Sequence, residues 1–315
     1  PISHFCLVDG SGFIFRAFHA LPPMSRADGT PTNAVFGFTN MLIKLIDDLK
    51  ADHCAIIFDT ARKTFRNDIF DQYKANRPPA PEELIPQFSI IREAVNAFNV
   101  PCIEMDGFEA DDLIASYTTL AVNDGAKVTI VSSDKDLMQL VGHNVMMHDP
   151  MKNKYIGVSE VREKFGVNPD KVIDVQSLAG DSADNVPGVP GIGIKTAAQL
   201  ITEYGDLDSL LARANEITQP KRKENLINFS EMARISRDLV TLKTDVEVPR
   251  PLQSLAVANF DPNTVLEFLR AQGFKRLTAR FETEAETQRI PNTSQDVTSN
   301  EPAINYQLVQ DIEIL

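Results

Sequence analysis

His4-Phe5-Cys6-Leu7-Val8-Asp9-Gly10-Ser11 sets a short apolar run directly against an aspartate and a glycine. Such runs bounded by turn residues read as buried strands, so 4–8 is the first strand. Two more follow the same plan. Residues 55–58 stop at Asp59, and Lys127–Val131 leads through Ser132 and Ser133 to Asp134. Between them Val35, Phe38, Leu42, Leu45 and Leu49 step by three and four, as do Leu84, Phe88, Ile91, Val95 and Phe98. Each set lays one apolar stripe along a helix. Strands alternating with helices predict an α/β fold with a mostly parallel sheet covered on both faces.

The 315 residues suffice for about two domains. After about Leu178 the strand signal fades. Helices are expected over 196–204, 208–213, 221–239 and 263–272, making a helical subdomain of 178–281 behind an α/β unit of 1–177. Residues 282–303 read as a polar linker. The apolar turn of 304–315 reads as the start of a truncated following domain. No apolar run approaches the ~18 residues of a membrane span, and no signal peptide is evident. The cysteines Cys6, Cys54 and Cys102 are odd in number and far apart, which fits a reducing cytosol rather than disulfides. The histidines (4, 19, 53, 143, 148) show no ligand spacing. A net charge of −13 argues, by itself, against a polyanionic partner.

Asp9, Asp59 and Asp134 all fall at the carboxyl ends of strands, the edge where open parallel sheets bind ligands. Asp136 lies two residues past Asp134. Glu109, Asp111 and Asp112 crowd a helix start, where one acid would satisfy the dipole. Asp181 and Asp184, at i and i+3, are expected to share a helix face. Adjacent carboxylates about 4 Å apart repel by ~1 kcal/mol in water and ~4 kcal/mol at an effective dielectric of 20, a penalty a cation removes. An all-oxygen set without clustered His or Cys selects Mg²⁺ or Mn²⁺, and its size suits two-metal phosphoryl chemistry.

Gly188-Val189-Pro190-Gly191-Ile192-Gly193-Ile194-Lys195-Thr196-Ala197 is the sharpest local motif. Gly191 and Gly193 let the backbone approach a phosphate, and the helix start after them offers free N–H groups. Lys195 adds charge, while Ile192 and Ile194 are expected to anchor the hairpin in the core. No Walker-type Gly-Lys-Ser/Thr is present. The arrangement fits a helix–hairpin–helix that grips a DNA backbone without reading bases. The stretch 65–87, with Pro78, Pro79, Pro81 and Pro86 among charged residues, is longer than the usual α/β connection of roughly 2–6 residues, which marks it as functional or mobile.

In order along the chain, Leu7-Val8-Asp9-Gly10-Ser11, Arg16-Ala17-Phe18-His19-Ala20, Phe58-Asp59, Lys74-Ala75-Asn76-Arg77-Pro78-Pro79, Glu109-Ala110-Asp111-Asp112, Ser133-Asp134-Lys135-Asp136 and Gly180-Asp181-Ser182-Ala183-Asp184-Asn185-Val186-Pro187-Gly188 resemble the 5′-nuclease domain of bacterial DNA polymerase I, within the flap endonuclease superfamily. The resemblance covers residues 4–281. It implies a PIN-like α/β fold, a helical arch near 65–87 and a helix–three-turn–helix DNA clamp. It matches Asp9, Asp59, Glu109, Asp111, Asp112, Asp134, Asp136, Asp181 and Asp184 to the metal-site acids, with Asp136, Asp181 and Asp184 in the second-ion group.

The same resemblance gives Lys74 and Arg77 to the scissile phosphate, and Arg16 and Tyr73 to the 5′ end of the cleaved strand. The chain has no Trp, so any base stacking falls to residues such as Tyr73 or Phe18. The implied activity is Mg²⁺-dependent hydrolysis of DNA at a 5′ flap, nick or frayed 5′ end. The implied setting is primer removal and repair in the bacterial cytosol, by a monomeric domain joined to a polymerase part; no polymerase motif lies in this chain. A non-catalytic DNA-binding module and a PIN-type ribonuclease are the rival readings. The charge objection weakens on inspection. Setting aside the nine site acids and residues 282–315 leaves 28 acids against 30 bases.

Overall fold

The computed structural model describes residues 2–48, 50–60 and 63–289. In chain order the strands are β1 (His4–Asp9), β2 (His53–Ile57), β3 (Cys102–Ile103), β4 (Lys127–Val131), β5 (Val145–Asp149) and β6 (Lys154–Ile156). The helices are α1 (Gly10–Ala20), α2 (Asn33–Asp48), α3 (Phe65–Ile69), α4 (Gln87–Ala97), α5 (Ala110–Asn123), α6 (Val158–Phe165) and α7 (Val172–Ala179). They continue as α8 (Ile194–Tyr204), α9 (Leu207–Ala212), α10 (Pro220–Asn228), α11 (Ser230–Val240), α12 (Pro262–Ala271) and α13 (Lys275–Arg289). The strands form one sheet in the order β3-β2-β1-β4-β5-β6, parallel except for β6. The mostly parallel α/β expectation holds.

Alternation along the strands assigns the two faces. Phe5, Leu7, Ala55, Ile57, Val128 and Ile130 face a layer built from α5 to α8. Cys6, Val8, Cys54 and Ile56 face α1, α2 and α4. The region expected as one helical subdomain divides between these layers. Val175 and Leu178 of α7 and Leu200 of α8 join the first face, while Val265 and Leu269 of α12 and Phe281 of α13 join the second.

Three local expectations change. The helix expected over 221–239 is two, α10 and α11, joined at Phe229. The stretch expected as an arch carries the short helix α3 followed by turns, since prolines lack the N–H a helix needs. Residues 282–289, expected within the linker, belong to α13, which runs to Arg289. Its Glu282, Glu284, Ala285 and Glu286 are good helix formers that composition alone read as polar linker. The remainder of that linker, from residue 290, and the expected further domain at 304–315 lie outside the described residues.

Candidate metal and phosphate site

Parallel pairing of β1 with β2 and β4 brings their carboxyl ends to one edge. Asp9 ends β1 and caps α1, accepting from Gly12 N at 3.0 Å. Its second oxygen accepts from Ser132 Oγ at 2.9 Å, and that hydroxyl in turn accepts from Asp134 N at 3.0 Å. Asp134 Oδ1 takes Asp136 N at 2.9 Å. From the other side Asp59 Oδ1 accepts from Ala110 N at 2.8 Å, which docks the start of α5 against the end of β2. Arg16 reaches the same edge, donating to Ser133 Oγ at 2.8 Å. One hydrogen-bonded chain therefore links Asp9, Asp134 and Asp136, and a separate bond holds Asp59.

Asp9, Asp111 and Asp136 sit in an environment that disfavours their charge. Burial pushes Asp9 up to about 6, with Asp59 and Asp134 adding repulsion against the lowering effect of its hydrogen bonds. Burial and the Asp134 charge push Asp136 up to about 7. Burial, Asp134 and Asp9 hold Asp111 well above the ordinary carboxylate range. Mutual repulsion of this kind is what a bound cation relieves.

Lysines and an arginine meet the remaining acids. Lys74 Nζ lies 2.8 Å from Glu109 Oε2 and 3.7 Å from Asp184 Oδ2. Arg77 pairs with Asp184, and Lys135 Nζ lies 2.5 Å from Asp181 Oδ2. Burial works to lower the Lys74 ammonium, but Glu109 and Asp184 more than reverse it. With the side chains set this way, no three His, Cys, Asp or Glu groups among the described residues converge to hold an ion. The donor set still fits a hard divalent cation, because it is all oxygen and several members are charged against their own repulsion.

The segment carrying Lys74 is fastened over the acids. Lys74 N donates to Asp184 O at 2.9 Å, Asn76 Nδ2 to Ser182 O at 2.8 Å, and Asn185 Nδ2 to Gln72 O at 2.7 Å. Lys74 adopts φ +55°, which turns the chain back toward the site. Tyr73 is buried, and its hydroxyl donates to Glu109 Oε2 at 3.2 Å. A ring so enclosed is not the exposed stacking surface that was expected. Phe18 packs edge-on against His19.

Asp112 also departs from expectation. It is fully buried, and Arg66 binds both its oxygens at 2.7 Å. Lys243 N at 2.9 Å and Glu109 N at 3.1 Å occupy the rest of the carboxylate. Asp112 is therefore a frame residue with no oxygen left for an ion. One residue along a helix is a rotation of about 100°, which separates Asp111 at the acid edge from Asp112 in the core.

Asp181 and Asp184 do not share a helix face. They stand in a loop closed by Asp181 N to Val186 O (2.9 Å) and Val186 N to Asp181 O (2.7 Å). Gly180 and Gly188, at φ +68° and +60°, press together at its neck. A Cβ on Gly180 would lie 2.5 Å from Val186 O, and one on Gly188 would lie 2.5 Å from Gly180 N. Directly beyond comes the glycine hairpin. Gly191, at φ +78°, and Gly193 are exposed, and Gly193 caps α8. Lys195 is exposed and Thr196 half-buried on its first turn. Ile192 is buried as expected, but Ile194 is 36 % exposed and anchors nothing. Asn225 Nδ2 donates to Pro190 O at 2.8 Å and steadies the turn from α10. The exposed glycine backbone leads straight into the start of α8, and helix N-termini offer free N–H groups of the kind that bind anions.

Sequence reasoning missed Arg66 and Gln176. Gln176, on α7, donates to Asp136 Oδ1 at 2.6 Å. The available signal was a lone amide within the apolar run of residues 172–178.

Comparison with known proteins agrees with this geometry. Residues 4–166 match the family model of the 5′-3′ exonuclease N-terminal resolvase-like domain, and residues 167–263 match the model of the 5′-3′ exonuclease C-terminal SAM fold. DNA polymerase I of Rhizobium leguminosarum is 58 % identical over 285 residues, covering 88 % of this chain and 28 % of that protein. A 5′-3′ exonuclease of Aquifex aeolicus is 37 % identical over 273 residues, covering 86 % of this chain and 92 % of that one. The chain spans about a third of the length of the DNA polymerase I relatives it matches. Among solved structures, T5 5′-exonuclease with bound divalent metal ions (zinc) superposes at a TM-score of 0.66, with 24 % identity over 76 % of this chain and 90 % of that one. The catalytic core of Rad2 in complex with DNA substrate superposes at 0.59, with 18 % identity over 90 % of each chain. At these identities the two structures speak to the fold.

Proposed function

Because this chain belongs to the 5′-3′ exonuclease family, we propose that it is the 5′-nuclease domain of a bacterial DNA polymerase I. It hydrolyses DNA phosphodiesters at a 5′ flap, nick or frayed 5′ end, in primer removal and repair. We assign it a monomeric state and a cytoplasmic setting. The observation that carries the reading is the acid edge: Asp9 is buried and Asp111 and Asp136 half-buried, desolvation and then neighbouring acids raise all three, and lysines are drawn onto the acids around them.

Asp9, Asp59, Glu109, Asp111 and Asp134 would hold one Mg²⁺, and Asp136, Asp181 and Asp184 a second. Such ions supply an activated water nucleophile and neutralise the leaving oxygen. The protein does the rest. Gly191, Gly193, Lys195 and Thr196 grip a duplex phosphate through backbone N–H groups and one charge. Arg16 stands at the acid edge, where it can meet the 5′ end. Lys74 and Arg77 already lie against Glu109 and Asp184, so a small swing delivers two cations to a phosphate entering there. Transition-state charge on that phosphate is then met by groups held in place beforehand. Backbone contacts select substrate shape rather than sequence.

A 5′-labelled flap substrate tests the reading. Mg²⁺-dependent cleavage stopped by EDTA is expected, with DNA flaps cut in preference to RNA flaps. Asp181→Ala should cut at least about a hundredfold more slowly while still binding the flap. Binding without cleavage by the wild-type chain would favour a DNA-binding module. RNA preference would favour a ribonuclease.

A further inference from the structure

Gln176 is a buried amide whose purpose neither packing nor helix formation explains. It is 2 % exposed on α7, between Val175 and Ser177, and α7 packs its Val172, Val175 and Leu178 into the apolar layer on that face of the sheet. Its Nε2 donates to Asp136 Oδ1 at 2.6 Å, while its Oε1 has no hydrogen-bond partner. An unmet buried acceptor is destabilising, so a leucine or methionine would serve the core better.

What Gln176 does is fix a carboxylate. The backbone of Asp136 is held from two sides. Its N–H goes to Asp134 Oδ1 at 2.9 Å, and its carbonyl accepts from Gln139 Nε2 at 2.9 Å. Gln139 in turn spans to α11, donating to Val240 O at 3.0 Å and accepting from Leu242 N at 3.2 Å. Among the described residues the Asp136 side chain has one hydrogen-bond donor, and that donor is Gln176. Anchoring Oδ1 leaves Oδ2 available and sets the carboxylate plane. The helix that carries Gln176 ends at Gly180, one residue before Asp181. The amide thus ties Asp136 to the same rigid element that delivers Asp181.

We propose that Gln176 is a positioning residue of the second-ion group: it orients the Asp136 carboxylate toward a divalent cation shared with Asp181 and Asp184. The inference rests on the function proposed above. The unmet Oε1 fits it as well, since a hydrated cation brings O–H donors to a pocket where Oε1 has none.

Manganese binding to the metal-free protein, followed by EPR or calorimetry, tests this apart from activity. Gln176→Met keeps the volume and removes both amide groups. The weaker Mn²⁺ affinity should fall about tenfold or more, within the span seen when a group that orients a metal ligand is removed. The tighter affinity should stay within twofold and Tm should not fall. Cleavage should need correspondingly more Mg²⁺, with flap binding unchanged. Wild-type Mn²⁺ affinities in Gln176→Met would overturn the proposal, as would a lowered Tm with both affinities intact, which marks a packing role. Should Gln176→Met fail to fold, Gln176→Asn retains the amide one methylene short and must show the same selective loss. Failure of the wild-type chain to bind Mn²⁺ at all would instead overturn the parent reading.

Discussion

Two clusters of opposite charge lie eight residues apart in the segment between β2 and α4, and they are built on different terms. Arg66 and Asp112 are 1 % and 0 % exposed and face each other through two parallel 2.7 Å bonds. Leu239 O and Thr241 O take further guanidinium hydrogens, at 2.7 and 3.1 Å. Lys74 bridges Glu109 and Asp184 instead, with one close contact, one long contact and 19 % of its side chain exposed. The first cluster is dry, bidentate and complete, so it ties α3, α5 and the end of α11 into a single frame. The second leaves carboxylate oxygens and ammonium hydrogens free for other partners. Within one short stretch of chain, completeness of pairing separates the charges that hold the fold from those that can be exchanged.

The comparison breaks most visibly at Arg66. Arg66→Met strands Asp112 in the core, and unfolding free energy should fall by about 3–5 kcal/mol in a urea titration. A loss under about 1 kcal/mol would erase the distinction. Lys74→Ala should do the opposite: folding stability stays near the wild type, while the single-turnover cleavage rate drops about tenfold or more. A rate within twofold of wild type would remove Lys74 from the chemistry.

The smallest effect is in pH. Asp9 and Asp136 are raised in the folded chain to about 6 and about 7. Between the ordinary carboxylate range and those values the native state holds more protons than the unfolded one, so stability falls as pH rises. Without divalent cation, Tm should be at least about 2 °C higher at pH 5 than at pH 7.5 from this source. Adding Mg²⁺ should flatten the difference. A Tm that climbs steadily to pH 7.5 without metal would mean these acids are not charged against their surroundings.

Local pattern carried the parts of the molecule that local pattern controls. The strand at 4–8 and its aspartate were legible because a buried parallel strand is a continuous apolar run. The start of α5 was legible because acids collect at helix N-termini. Asp112 was not separable from Asp111, since what distinguishes them is Arg66, 46 residues away in sequence. The loop of Asp181 and Asp184 was read as helix because i and i+3 spacing is indifferent to the neck formed by Gly180 and Gly188. The break at Phe229 leaves no mark in the helical pattern of 221–239, and Gln176 is one of several polar residues on α7. For Asp112 and Gln176 the missing information was the identity of a partner from a distant part of the chain.

The neck at Gly180 and Gly188 has a consequence for length. Backbone touches backbone there, and Gly188 N is further bonded to Ser236 Oγ at 2.9 Å. The acid-bearing loop and the glycine turn beyond it are thus joined at a close-packed point of the backbone. Under the function proposed above, duplex seated at Gly191 and Gly193 would stand at a fixed separation from the acids, and the domain would act as a caliper.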